Sequence, residues 1–122
     1  MTGIWLKAMT KKSELLTRHC EPCEGGVPPL EAEAAQQLIK ALDSAWRISG
    51  GGKSIHRRFE FVGYRQTISF VNAVAWIAES EGHHPDLTVL YGKVDVLYTT
   101  HAIDGLSEND FICAAKIDRL LD

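Results

Sequence analysis

The stretch Arg65–Glu81 constrains this chain most. Ile68, Val71, Ala75 and Ala78 recur at the spacing of one helical face, and Phe70, Val74 and Ile77 widen that stripe. Gly82 follows where a helix C-terminus favours a left-handed residue. A helix with so broad an apolar face must lie against another layer, and the flanking segments read as strands. Ser54–Phe61 alternates, with Ile55, Phe59 and Phe61 on one side and His56, Arg58 and Glu60 on the other; Arg57 interrupts the apolar side. Thr88–Tyr91 and Val94–Thr100 flank Gly92-Lys93, a two-residue hairpin turn. Trp46–Ser49 is a short strand that runs into Gly50-Gly51-Gly52, a turn that needs backbone freedom.

Two further helices bracket this core. Pro28 and Pro29 introduce the first, Glu31 to about Ser44, with Ala35, Leu38, Ile39, Leu42 and Ala45 on one face. Ser107 and Asp110 have capping-box spacing at the start of the last, with Leu106 and Phe111 placed to staple it. Its buried face is then Cys113, Ile117, Leu120 and Leu121. The order α-β-β-α-β-β-α predicts an α+β fold, a four-stranded antiparallel sheet with three helices packed on one face. The 122 residues allow one domain, expected at 21–122 after a loose N-terminal segment at 1–20. The segment Glu21–Pro29 is rich in Pro, Gly and acid and reads as a loop. An uncovered sheet face and open edges need a partner or solvent-tolerant residues, and self-association is one common answer.

Sixteen acidic against thirteen basic side chains give a formal charge of −3, which argues against a nucleic-acid binder that works by phosphate neutralisation. No apolar run approaches the roughly 20 residues that cross a bilayer. The start of the chain has a short apolar patch, Ile4-Trp5-Leu6, but no long apolar h-region or small-residue cleavage site, so it does not read as a signal peptide. Three cysteines, Cys20, Cys23 and Cys113, are no disulfide framework, so the expected compartment is a reducing cytoplasm.

Function concentrates late in the chain. His83-His84-Pro85-Asp86 follows the helix cap, Pro85 restricts His84 to extended backbone, and His101 ends the last strand on the side of Asp95, Leu97 and Thr99. Imidazole titrates near neutrality, so such a set serves proton transfer; solvent exposure is the alternative. Glu79 lies one turn before His83 and is a helix-end carboxylate or a partner of that site. Asp110 is explained by its cap, yet a capping carboxylate still has an outer oxygen to offer. A metal site is the competitor: two His with a carboxylate hold iron and three His hold zinc, but neither the His-Glu-x-x-His spacing nor a fourth ligand is present. Cys20-Glu21-Pro22-Cys23, beside His19, is half a zinc site or a redox pair; with no second CxxC and a Pro/Gly context it reads as a non-catalytic loop pair, and Cys113 as core. Trp76 reads as packing inside its helix, and Trp46 as either core or a lid for a flat ligand. Gly50-Gly51-Gly52-Lys53 lacks the context of a phosphate loop.

Glu79-x-x-x-His83-His84-Pro85, Tyr91 after five residues, His101 after nine more and Asp110 after eight more together resemble the signature of the pterin-4a-carbinolamine dehydratases. All seven positions match, the likeness spans about Cys20 to Leu121, and the Cys-x-Pro-Cys-x-Gly-Gly lead-in is similar to that of bacterial relatives. The resemblance implies the fold already drawn, association into a homodimer or homotetramer, and loss of water from a 4a-hydroxytetrahydropterin to give quinonoid dihydropterin, without metal or organic cofactor. It implies a functional link to an aromatic amino-acid hydroxylase, whose tetrahydrobiopterin would be recycled. It assigns proton transfer to His83 and His101 and substrate positioning, with assistance, to His84. Thr99, Thr100 and Pro85 fall at the pocket, Trp46 at an aromatic cover, and Glu79 and Asp110 at supporting acids. Leu87 departs from the aromatic that animal relatives carry, which weakens any carry-over of their second role as dimerisation cofactor of a homeodomain transcription factor. A non-enzymatic dimerisation module is the alternative function.

Overall fold

The computed structural model describes residues 11–22 and 25–122; the Ile4–Leu6 patch and Cys23 lie outside the described residues. The elements are α1 (Lys12–Thr17), α2 (Ala32–Ile39), β1 (Arg47–Ser49), β2 (Ser54–Glu60), α3 (Tyr64–Glu81), β3 (Asp86–Val89), β4 (Lys93–Tyr98) and α4 (Glu108–Arg119). Short 3-10 turns occur at Gly50–Gly52 and His101–Ile103. The four strands form one antiparallel sheet in the order β1-β2-β4-β3, so the α+β architecture is as the sequence predicts.

Register decides which side chains meet the helices. Ile55 pairs with Tyr98, Arg57 with Val96 and Phe59 with Val94, and the apolar members of these pairs are buried against Phe70, Val74, Phe111 and Ile112. Arg57 interrupts this face without breaking it. Its guanidinium lies 4.2 Å over the Phe59 ring and donates to Asp118 Oδ1 at 2.7 Å. The neighbouring face carries Arg58, which grips Asp95 with two hydrogen bonds of 2.7 and 2.9 Å. The glycine turn needs its residues: Gly50, Gly51 and Gly52 all have positive φ (62, 69 and 91°).

The sequence-based picture needs five corrections. The described residues hold four helices, because residues 12–17 are helical rather than loose. Leu15 is wholly buried, which supplies about 1.5–3 kcal/mol of apolar burial and seats α1 on α4. Helix α2 stops at Ile39 rather than near Ser44: Asp43 Oδ1 accepts the Ala45 N–H at 2.9 Å and its own N–H goes to Asp118, so side-chain bonding diverts the backbone into a turn. On α3 the deepest stripe is Thr67, Phe70, Val74 and Ala78. Trp76 is 75 % exposed and is not core packing; two residues beyond Val74, it projects from the opposite side of the helix. The hairpin turn is Tyr91-Gly92, since Leu90 pairs with Lys93 and Val89 with Val94, so its strands span Asp86–Val89 and Lys93–Tyr98 rather than 88–91 and 94–100. Finally, α4 is buried all round from Asn109 to Ala115 rather than along one face, and its exposed end includes Leu120 and Leu121. The small residues Cys113, Ala114 and Ala115 let neighbouring elements close on it from several sides.

Candidate active site

Gly82 ends α3 in the left-handed conformation (φ 65°, ψ 29°), and the next N–H, that of His83, returns to the Ala78 carbonyl at 3.1 Å. This Schellman closure fixes where His83 leaves the helix. Its ring stacks on Tyr98 of β4, with centroids 5.3 Å apart and planes 10° from parallel. The Tyr98 hydroxyl donates to the His83 carbonyl at 3.3 Å. Sheet and helix end therefore hold the imidazole from two directions.

Asp110 holds it from a third. Ser107 and Asp110 form the capping box that opens α4, and Asp110 is wholly buried. Its Oδ2 accepts the Ser107 N–H at 3.0 Å and the Thr100 hydroxyl at 2.8 Å, which leaves Oδ1 for His83 Nε2 at 2.6 Å. Both readings of Asp110 hold at once: it caps the helix and it backs a histidine. Burial alone would push the His83 imidazole down, but the Asp110 carboxylate, through hydrogen bond and charge together, holds it above its ordinary value.

His84, next along the chain, is mostly exposed. Its Nε2 meets Glu79 Oε1 at 3.0 Å, and both side chains are mostly exposed (62 and 82 %). His101 lies just past β4, in a 3-10 turn that a Thr100–Gly105 bridge closes at its base. The three histidines, arriving from a helix cap, a strand entry and a strand exit, line one pocket of about 250 Å³ together with Thr99, Thr100, Asn109 and Glu21. That is slightly below the roughly 300 Å³ at which small-molecule pockets usually begin. Among the described residues no three His, Cys, Asp or Glu side chains converge as a metal-holding group.

The remaining expectations divide. Thr99 and Thr100 line the pocket, but their hydroxyls are committed elsewhere: Thr99 to the Lys53 carbonyl, Thr100 to Asp110 and Ser107. Pro85 and Glu79 act on His84 from outside the lining. Trp46 is not at the pocket. It is buried on Phe59, ring centroids 6.3 Å apart, and donates its indole N–H to Asp118 at 2.8 Å; a lid must reach solvent, and this ring sits in the core.

Sequence reading missed the segment that joins the histidines in lining the pocket. The Asn109 amide accepts the Glu21 N–H at 3.0 Å and donates to the Glu21 carbonyl at 2.7 Å. Glu81, with a side chain only 6 % exposed, accepts the Cys20 N–H at 2.8 Å, meets His19 Nδ1 at 3.1 Å and pairs with Lys116. Burial would raise the Glu81 carboxyl, but Lys116, Cys20 and His19 outweigh it and hold it down at about 2. Cys20 Sγ lies 3.5 Å from Cys113 Sγ. That hydrogen bond and burial push the Cys20 thiol far up, so it stays protonated and packs. Residues 19–21 thus form a strap tied to α3 and α4. The loop composition around it showed no periodicity from which to place it.

Three imidazoles thus line one small pocket beside an α+β sheet, and one of them is backed by a buried carboxylate, a set of groups whose chemistry suits proton transfer. Comparison with known proteins names the family. The profile described as Pterin 4 alpha carbinolamine dehydratase matches residues 28–120, and the chain belongs to that family. A protein of Nitrosomonas eutropha is 56 % identical over 113 residues, covering 93 % of this chain and 98 % of its own. One of Nitrosospira multiformis is 58 % identical over 111 residues, covering 91 and 96 %. Both bear the name "Putative pterin-4-alpha-carbinolamine dehydratase". The crystal structure of a transcriptional coactivator/pterin dehydratase from Brucella melitensis superposes with a TM-score of 0.73 at 30 % identity, covering 77 % of this chain and 99 % of that one. A pterin dehydratase-like protein identified as a RuBisCO assembly factor in the alpha-carboxysome superposes with 0.55 at 28 % identity, covering 62 and 88 %.

Proposed function

We propose that this chain is a 4a-hydroxytetrahydropterin dehydratase, and the convergence of His83, His84 and His101 on one pocket carries that reading. Water loss breaks the C4a–O bond. The N5 lone pair pushes from the ring, an acid protonates the departing oxygen so that it leaves as water, and a base takes a proton from a ring nitrogen to give the quinonoid dihydropterin. One acid and one base suffice, at roughly 10²–10⁴-fold each. Asp110 strengthens His83 as the base. His101, on the turn that follows β4, supplies the proton to the oxygen, and His84 positions the substrate. Thr99 and Thr100 shape the wall, and Pro85 aims His84. The chain acts without metal or organic cofactor, in the cytoplasm, as a homodimer or homotetramer, and returns pterin to an aromatic amino-acid hydroxylase.

The RuBisCO assembly factor among the structural relatives favours a second reading, in which the fold serves as a non-catalytic assembly module. Following water loss from a 4a-hydroxytetrahydropterin by ultraviolet absorbance, with and without EDTA, separates the two. Dehydration well above the spontaneous rate and insensitive to chelator is the expected result. Loss of activity in EDTA would replace the metal-free mechanism, and folded protein with no activity would leave the assembly module.

A further inference from the structure

We propose that Glu21 is the residue that orients the substrate, its carboxylate accepting hydrogen bonds from the N3–H and 2-amino edge of the pterin ring; this rests on the dehydratase reading. The pyrimidinone half of a pterin presents two parallel N–H donors along one edge, the same fork a guanidinium shows, and a carboxylate is the side chain whose two oxygens match it. The pocket wall holds one such group among the described residues. Thr99 and Thr100 have committed their hydroxyls to Lys53 and Asp110, and Asn109 uses both ends of its amide on the Glu21 backbone. Asp110 is buried behind His83 with both oxygens occupied. Glu21 lines the pocket, and its carboxylate has neither a hydrogen bond nor an ion pair within the described protein.

The strap is built to hold it there. Asn109 and Glu81 are buried polar side chains on two different helices, and they bind the backbone of consecutive residues, Glu21 and Cys20, from 88 and 61 positions away. An apolar anchor would close the core without this double clamp. The clamp fixes Glu21, which among the described residues that line the pocket is the one with an uncommitted carboxylate. Recognition of the ring edge from this side leaves C4a and its hydroxyl to the imidazoles.

The test compares wild type, Glu21→Gln and Glu21→Asp in turnover of a 4a-hydroxytetrahydropterin. It also compares their binding of 7,8-dihydrobiopterin and its N3-methyl derivative by equilibrium titration. Glu21 is exposed, so the variants keep the fold. Glu21→Gln is expected to raise KM and the dihydrobiopterin Kd by about tenfold to a hundredfold, the range of a charge-assisted hydrogen bond. It leaves kcat within about threefold, and Glu21→Asp recovers part of the loss. Wild type discriminates against the N3-methyl compound and Glu21→Gln does not. If wild type turns over and binds while Glu21→Gln matches it with discrimination intact, the orienting role is overturned and the dehydratase reading stands. If wild type neither turns over nor binds dihydrobiopterin, the dehydratase reading fails and the role of Glu21 falls with it.

Discussion

Two histidine–carboxylate pairs stand side by side at the end of α3, and they are built differently. His83 meets Asp110 at 2.6 Å with side chains 12 and 0 % exposed, whereas His84 meets Glu79 at 3.0 Å with side chains 62 and 82 % exposed. Adjacent positions in the chain thus present one imidazole to a low-dielectric wall and one to water. Coulomb attraction at such distances is several-fold stronger in the first setting than in the second. The inner pair fixes a tautomer and a proton affinity. The outer pair fixes little more than a direction. Catalytic weight should follow that division.

The largest effect should come from the inner imidazole. His83→Gln keeps a hydrogen-bonding group near Asp110 but cannot take up a proton, so kcat should fall by roughly 10²–10⁴-fold with the circular dichroism spectrum unchanged. His101→Gln should cost a comparable factor if acid and base are separate residues. Equal turnover in the double variant would remove the proposed mechanism.

Asp110→Asn sharpens the comparison, because it leaves the ring in place and changes its surroundings. With the charge gone, burial dominates and the His83 imidazole drops from its raised value. A base of lower proton affinity remains neutral at more acid pH, so the acid limb of kcat/KM should move down while the plateau falls by about tenfold. Movement of the alkaline limb instead would make His83 the acid. Stability gives a separate reading of the same pair. The folded protein raises the His83 value above its unfolded one, so the pair's contribution is fully present below about pH 6.5 and is lost as pH rises through the raised value. Urea midpoints should therefore show a larger deficit for Asp110→Asn at pH 5.5 than at pH 9.

How much of this was legible depended on how local the cause was. The Ser107–Asp110 cap, the Gly82 stop and the alternation of β2 are set by residues within a few positions, and the structure has them where the sequence places them. The hairpin turn slipped by one residue because its position is set from afar: the Gly92 carbonyl accepts the Phe61 N–H at 2.8 Å, and a Cβ at Gly92 would come within 2.8 Å of the Phe61 carbonyl. The two tryptophans are a clearer case. Hydrophobicity cannot tell Trp46 from Trp76; the buried one is the one whose indole N–H finds Asp118, 72 positions away. At the site, the motif named the histidines and Asp110. The strap was illegible, since its placement depends on Glu81 and Asn109 and not on any pattern in residues 19–21.

The strap supplies the next test. Glu81→Gln removes the charge that Lys116 and the Cys20 N–H share, and should cost about 2 kcal/mol, the scale of a hydrogen bond to a charged group, in chemical denaturation. The Glu81 carboxyl is held down at about 2 in the fold, so its contribution is present above the unfolded value near 4.3 and is lost as pH falls toward 2. Wild type and Glu81→Gln should accordingly converge in stability as the solution is acidified from pH 5 to pH 2. A constant gap across that range would mean that packing rather than charge fixes the strap.

The smallest effect belongs to the outer pair, and it is the one that decides whether exposure or motif membership predicts importance. Glu79 is one of the seven motif positions and touches His84, which would give it a supporting role equal to that of Asp110. Its side chain is 82 % exposed, however, and an ion pair in that setting contributes about 0–1 kcal/mol and is screened by salt. Glu79→Ala should therefore shift the unfolding free energy by less than about 0.5 kcal/mol. A loss of that size in positioning His84 corresponds to about a twofold change in kcat/KM, and raising the ionic strength of the wild type should reproduce it. A loss of a hundredfold would mean that substrate closes over Glu79 and takes the outer pair out of water, which would make the two halves of the site alike in the complex.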